Sequence, residues 1–249
     1  TRCSRDWSSD VCSSDLLVAA CMERIGRLDS AGPKLNAVLS LNPDAEADAG
    51  RLDAERRAGH VRGDLHGVPL LIKDSIETRG PLPTTAGSLA LAGNVARRDA
   101  HVVERLVEAG AVILGKTNLS EWSNFRSGRA ISGWSACGGL VRNPHVLDRT
   151  ACGSSSGSAA AVAAGLAAGA IGTETNSSIT CPAAMNGVVG LKPTLGLVSR
   201  SNIVPISPEQ DTPGPLGRTV ADVALLLTAI AGSDPRDAAT VQADSHRRD

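Results

Sequence analysis

Hydroxyl side chains lie in two separate segments of the chain, and a lysine lies in an apolar run upstream of both. Residues 153–158 read Gly-Ser-Ser-Ser-Gly-Ser, and residues 176–179 read Asn-Ser-Ser-Ile. Lys73 ends the run Val-Pro-Leu-Leu-Ile-Lys at residues 68–73. A lysine that is desolvated in such a run binds its proton less tightly and can accept one from a hydroxyl. This combination predicts a serine nucleophile that is activated without a histidine.

Each of these signals also has a simpler interpretation. A lysine in an apolar run is usually solvated, or it extends its amino group to the surface. The glycine–serine segment could bind phosphate at a helix N-terminus, but the Gly-Lys-Ser or Gly-Lys-Thr sequence of a P-loop does not follow it. On its own, such a segment is most often a flexible capped turn. The catalytic interpretation therefore depends on the order and context of the segments.

The turn at residues 175–178 supplies the second part of the predicted chemistry. It follows a predicted strand, and successive backbone N–H groups in such a turn can point at one spot and form an oxyanion hole. Ser177 and Ser178 lie at its end, and chemistry alone makes both of them candidate nucleophiles. The five histidines lie in polar or loop-like contexts, which favour solvated or structural roles.

The composition argues against several other functions. The formal net charge is −1 and the aromatic residues are three Trp and one Phe, which disfavours nucleic acid as a partner. No apolar run reaches the roughly 18 residues of a membrane-spanning helix. The six cysteines form no Cys-x-x-Cys pair and no zinc-like spacing with histidine. We therefore expect no metal, no cofactor and free, mostly buried thiols, with a Cys152–Cys181 bridge as the alternative.

Helices alternate with short buried strands, which predicts an α/β domain with a largely parallel or mixed sheet. The predicted helices cover residues 16–28, 43–58, 99–108, 159–168 and 219–230. The predicted strands cover residues 67–76, 111–114, 170–172 and 188–191. Asp99 is the expected cap of the third helix, and Thr219 with Asp222 forms a capping box at the last.

The two ends of the chain do not fit this pattern. Residues 1–15 are rich in Ser, Asp, Arg and Cys, lack the apolar segment of a signal peptide, and resemble translated sequencing-adapter DNA. A genuine disordered tail is the alternative. Residues 234–249 are polar and form no closing element. We expect a non-native or disordered leader at residues 1–15 and a truncated domain at residues 16–249. We expect the protein to lie in the cytoplasm, unless a secretion signal has been lost with the native N-terminus.

From about Leu16 to Asp234, ordered sequence blocks resemble the amidase signature family. The blocks lie at residues 67–74, 115–121, 153–161, 172–175, 181–184 and 187–194. Residues 118–126 and 210–212 resemble the peptide amidase-like branch of that family. The resemblance implies the amidase signature fold, a mixed β-sheet core flanked by helices. Because the chain is about half the usual family length, it also implies that the C-terminal part is missing.

The resemblance further implies a Ser-cisSer-Lys triad that hydrolyses carboxylic amides through an acyl-enzyme. Its lysine falls on Lys73, its cis-serine on Ser154 and its nucleophile on Ser178, which the motif spacing favours over Ser177. Ser155 would support the loop. The backbone amides that would form the oxyanion hole are those of Thr175, Asn176, Ser177 and Ser178. The expected substrate is a small-molecule or peptide amide, including peptide C-terminal amides. No nucleic acid or membrane partner is expected, and the oligomeric state is left open.

Asn176 and Ser177 depart from the family, which usually has glycine or an Asp-Gly pair at these positions. If position 177 requires a positive φ, a serine there strains or displaces the oxyanion hole. Two other functions therefore stay open. One is the glutaminase-type subunit of a tRNA amidotransferase, which works only with partner subunits. The other is an inactive fragment.

Overall fold

The computed structural model describes residues 13–247 of the 249-residue chain. The helices are α1 (Ser14–Arg24), α2 (Ala45–Arg57), α3 (His101–Glu108), α4 (Ser156–Ala163), α5 (Thr180–Met185), α6 (Val220–Ile230) and α7 (Ala243–His246). The strands are β1 (Val38–Leu41), β2 (Pro69–Lys73), β3 (Val112–Thr117), β4 (Trp134–Ser135), β5 (Gly139–Leu140), β6 (Gly169–Glu174), β7 (Val189–Gly190) and β8 (Thr212–Gly217). A π-helical segment, Ile25–Ser30, continues α1.

Six strands form one mixed sheet in the order β1-β3-β2-β6-β8-β7. Strand β2 runs parallel to both of its neighbours, β3 and β6. Strand β8 runs antiparallel to β6 and β7, and β1 runs antiparallel to β3. Every residue of β2 is buried, as expected for a central strand that is covered on both faces. The predicted α/β fold with a mixed sheet and flanking helices is confirmed.

Apolar side chains pack against both faces of this sheet. Successive residues of β2 point to opposite faces, because side chains alternate along a strand. Leu71 belongs to the core cluster that includes α1, α2 and α4, whereas Leu70 and Ile72 belong to the cluster that includes α3 and α6. The same alternation directs Lys73 toward the face that α4 covers. The loop before α4 is therefore placed to meet its amino group.

The N-terminal helix begins earlier than the predicted domain. The backbone N–H groups of Ser14 and Asp15 donate to the carboxylate of Asp53 at 2.8 and 3.1 Å, and α1 starts at Ser14. The domain was expected to start at residue 16. Residues 1–12 of the predicted leader lie outside the described residues, so their assignment stays a prediction.

The structure corrects one predicted helix cap and supports another. Helix α3 has Ala100 at its N-cap position, and the carboxylate of Asp99 instead accepts the backbone N–H of Arg79. Asp99 was therefore wrongly predicted to cap this helix. At α6 the capping box is present, since Thr219 and Asp222 each accept a backbone N–H from the other.

No helix within residues 13–247 is both long enough and apolar enough to cross a bilayer.

Candidate active site

Lys73 ends β2 and places its amino group in a fully buried position. Nζ donates to Ser154 Oγ at 2.7 Å and to Thr173 Oγ1 at 2.8 Å, and it lies 3.3 Å from the carbonyl oxygen of Thr173. Burial lowers the pKa of Lys73 from 10.5 to about 7, against the opposing effect of the negative charges on Asp211 and Glu174. A lysine whose pKa is lowered this far has a substantial neutral fraction near neutral pH and can act as a base.

Ser154 lies in the loop that immediately precedes α4. The Gly153–Ser154 peptide bond is cis, and the carbonyl oxygen of Ser154 accepts the backbone N–H of Ser120 at 3.0 Å. A Cβ at residue 153 would lie 2.2 Å from Ser120 Oγ and would displace that hydroxyl from its hydrogen bond with the backbone N–H of Gly133. The loop is thus held against the segment after β3, with the buried Ser154 hydroxyl facing Lys73.

Ser155 connects this loop to the rest of the site. Its hydroxyl donates to the carbonyl oxygen of Thr173 at 3.1 Å and accepts the backbone N–H of Thr173 at 3.2 Å. Its own backbone N–H donates to the carbonyl oxygen of Ser178 at 3.0 Å. The cis-peptide loop, β6 and the segment that carries Ser178 are therefore joined by direct hydrogen bonds.

Residues 175–178 form the turn between β6 and α5. Ser178 is half-buried, whereas Asn176 and Ser177 are exposed. Ser177 has φ +62°, in the left-handed region that favours glycine. Within residues 13–247, no hydrogen bond links Ser178 Oγ to Ser154 Oγ, so Ser178 meets the loop through its backbone. Lys73, Ser154 and Ser155 are brought into one hydrogen-bonded group, and Ser178 borders that group.

The comparisons with known proteins decide the family. The family model described as amidase matches residues 17–248, nearly the whole chain. The chain belongs to the amidase family. The resemblance stated from the sequence blocks is confirmed, and the solved structures that share the amidase signature fold include a peptide amidase.

Three relatives show the range of this family. The native peptide amidase from Stenotrophomonas maltophilia is 61% identical with a TM-score of 0.91, over 92% of this chain and 47% of that one. A probable amidase of Arabidopsis thaliana is 53% identical, over 92% of this chain and 44% of that protein. A glutamyl-tRNA(Gln) amidotransferase subunit of Anaeromyxobacter sp. (strain K) is 48% identical, over 90% and 44% respectively. The chain thus spans less than half the length of each relative.

Glu174 holds the start of α5 in this amidase family member, although sequence reasoning did not single it out. Its carboxylate is buried, and Oε2 accepts the backbone N–H groups of Ile179 at 2.7 Å and Thr180 at 2.8 Å. Such N–H groups at a helix start have no partner within the helix. The carboxylate therefore fixes the residue that directly follows Ser178. The sequence signal for it was its place in block 172–175, at the end of β6.

Cys152 and Cys181 form a disulfide, which corrects the expectation of free thiols at these two positions. Their Cα atoms are 6.1 Å apart, within the range that a disulfide can bridge. Cys152 lies two residues before Ser154, and Cys181 lies three residues after Ser178. The bridge closes a separation of 29 residues and is expected to stabilise the fold by about 3.6 kcal/mol. Cys21 and Cys137 are free, and Cys3 and Cys12 lie outside the described residues.

A cavity of about 220 Å³ opens beside the turn that leads to Ser178. Thr173, Thr175 and Asp211 line it on the side of the site. Arg200 and Asp237 also line it, as an ion pair with a nitrogen–oxygen distance of 2.6 Å. Its apolar walls are formed by Ile203, Val204, Pro205, Ile206, Pro208 and Pro213. The cavity thus combines apolar walls with charged side chains next to the predicted oxyanion turn.

Ser177→Gly is expected to stabilise the protein by about 0.5–1 kcal/mol, because glycine adopts a positive φ without the steric cost that a serine side chain incurs. Urea denaturation measures the effect. Asn176→Gly is the matched control, since Asn176 is also exposed but has no positive φ, and it is expected to lose stability. Equal stability losses in both variants would contradict the strain argument.

Proposed function

We propose that the protein containing this chain is an amidohydrolase that converts carboxylic amides, including the C-terminal amides of peptides, into carboxylic acids and ammonia. The observation that carries this proposal is the buried Lys73 amine, with a pKa of about 7, in a 2.7 Å hydrogen bond to Ser154 Oγ. Ser178 borders the same group through the backbone of Ser155. The 61% identity to a peptide amidase supports the substrate class.

The proposed reaction is an acyl transfer through a serine ester. Neutral Lys73 takes the hydroxyl proton of Ser154 while Ser154 takes the hydroxyl proton of Ser178, whose oxygen attacks the amide carbon. Backbone N–H groups of residues 175–178 stabilise the negative oxygen of the tetrahedral intermediate. The relay then returns the proton to the leaving nitrogen, and ammonia departs. Water, activated by the same relay, hydrolyses the acyl-enzyme and restores the free serine.

A glutaminase-type subunit of a tRNA amidotransferase is the second candidate. The 48% identity to a glutamyl-tRNA(Gln) amidotransferase subunit favours it. Such a subunit would hydrolyse glutamine and pass ammonia to a partner, whereas an amidohydrolase acts alone on other amides. The higher identity to the peptide amidase supports the first candidate.

Product analysis of the complete gene product tests the proposal. We expect ammonia and free acid from peptide C-terminal amides without any partner protein. Hydroxylamine competes with water for an acyl-enzyme, so added hydroxylamine should yield a hydroxamate in proportion to its concentration. If glutamine were the one amide that is hydrolysed, and if its hydrolysis required a partner protein, the second candidate would be favoured. Ammonia release with no hydroxamate at any hydroxylamine concentration would contradict the acyl-enzyme.

A further inference from the structure

Asp211 joins two parts of the site that the proposed reaction requires. Its Oδ1 accepts the hydroxyl of Thr175, the first residue of the predicted oxyanion turn. Its Oδ2 accepts the backbone N–H groups of Ile206 at 2.7 Å and Ser207 at 2.9 Å. Ile206 lines the cavity beside the turn, and Asp211 lines it as well. One carboxylate therefore fixes the turn against the wall of the neighbouring cavity.

The same carboxylate is related in space to Lys73, because Asp211 and Thr173 line one cavity and the Thr173 hydroxyl binds Nζ. The groups that contact Nζ directly, Ser154 and Thr173, are neutral. Two carboxylates raise the pKa of Lys73 against the effect of burial, and Asp211 has a larger influence than Glu174. Asp211 is only half-buried.

The other buried charges near β2 form a pair of their own. Lys116 on the neighbouring strand β3 lies 3.6 Å from the carboxylate of Asp74, the residue after Lys73. Its amino group also donates to the carbonyl oxygen of Ile76 and to the hydroxyl of Thr84. The charge of Lys116 is thus balanced locally. Asp211 and Glu174 remain as the acidic groups that influence Lys73.

We propose that Asp211 is a positioning residue of this site: it holds Thr175 in the oxyanion turn and places a negative charge near the Lys73 amine. The inference rests on the proposed amidohydrolase function. It assigns Asp211 two separable effects, because the hydrogen bond to Thr175 acts on the geometry of the turn and the charge acts on the base. Sequence alone did not indicate either effect, since 36 residues separate Asp211 from Thr175.

Two variants of the complete gene product separate these effects. Asp211→Asn keeps the shape of the side chain and removes the charge, so the acid limb of the kcat/KM–pH profile is expected to move to lower pH by about half a unit or more. Thr175→Val keeps the charge and removes the hydroxyl. It is expected to lower kcat about tenfold or more with the acid limb unmoved. Because Thr175→Val leaves the Ile206 and Ser207 hydrogen bonds intact, it stays informative if Asp211→Asn folds poorly.

Asp237→Asn is the matched control for the charge. Asp237 lines the same cavity, but its carboxylate binds Arg200 and makes no hydrogen bond to Thr175 among the described residues. The acid limb should stay in place in this variant. The inference is overturned if Asp211→Asn moves the limb no further than Asp237→Asn, or if Thr175→Val retains the wild-type kcat. Absence of ammonia release from the wild type would instead refute the proposed function, so the two failures are distinguishable.

Discussion

Ser178→Ala is expected to lower the rate of ammonia release from peptide amides by about 10,000-fold or more. In the proposed reaction the Ser178 oxygen forms the acyl bond, so no other side chain can replace it once it is removed. The fold should be unaffected, because Ser178 is held through its backbone: Ser155 N–H donates to the Ser178 carbonyl oxygen, and Glu174 binds the next two N–H groups. Initial rates and the hydroxamate yield measure the loss.

Ser177→Ala is the matched control for this prediction. Ser177 is the adjacent residue, carries the same hydroxyl and lies at the exposed tip of the same turn. Alanine has a Cβ as serine does, so the variant retains the positive φ strain and loses the hydroxyl alone. We expect it to keep most of the wild-type rate. If Ser177→Ala lost activity and Ser178→Ala kept it, the nucleophile would be Ser177.

The choice between these two serines shows where the sequence was informative and where it was not. Chemistry alone left Ser177 and Ser178 equivalent, and only the resemblance to a family favoured Ser178. The apolar run indicated a buried strand, because a central parallel strand is covered on both faces, but it left open whether the Lys73 amino group was buried with it. Its partner Thr173 was not foreseeable, since their contact requires the register between β2 and β6.

The acidic groups were missed, and the disulfide was stated only as an alternative, for a related reason. Asp211 and Glu174 act by accepting backbone N–H groups, and no local pattern reveals which N–H groups a fold leaves unpaired. Cysteine spacing likewise does not determine pairing, so the Cys152–Cys181 bridge could only be stated as an alternative.

Strand β8 shows the same limit at the level of the fold. Its sequence, Thr-Pro-Gly-Pro-Leu-Gly, contains two prolines and two glycines, which disfavour a strand. It nevertheless pairs with β6 along its full length, and β7 pairs with its other side. The glycines allow close packing here, since a Cβ at Gly214 would lie 2.2 Å from the carbonyl oxygen of Leu191. Tertiary packing therefore overrides the local propensity.

Lys73→Met is expected to lower the rate of amide hydrolysis by about 1,000-fold or more, because the relay loses its base. Its effect on stability should depend on pH. The folded pKa of about 7 lies below the unfolded value of 10.5, so burial of the charged lysine destabilises wild type most at or below pH 7. That cost falls by about 1.4 kcal/mol per pH unit between pH 7 and 10. Methionine has no such cost.

The difference in unfolding free energy between Lys73→Met and wild type should therefore decrease as pH rises from 7 to 9.5. Methionine also loses the hydrogen bonds to Ser154 and Thr173, each worth about 1 kcal/mol, so the variant should become less stable than wild type at the upper end of this range. Urea denaturation at several pH values measures the difference. If this difference in unfolding free energy did not change with pH, the pKa of Lys73 would not be lowered in the folded protein, and Lys73 would not serve as the base.

Lys116→Met provides the contrast, because Lys116 is equally buried on the adjacent strand. Burial also lowers its pKa, to about 8, but it is paired with Asp74. Removal of Lys116 leaves the Asp74 carboxylate buried without its cation, which is expected to cost about 3–5 kcal/mol near pH 7. Two lysine-to-methionine changes on adjacent strands should thus have opposite effects on stability at pH 7. If both destabilised the protein equally at that pH, Lys73 would be a structural cation like Lys116, and Ser154 would have no base.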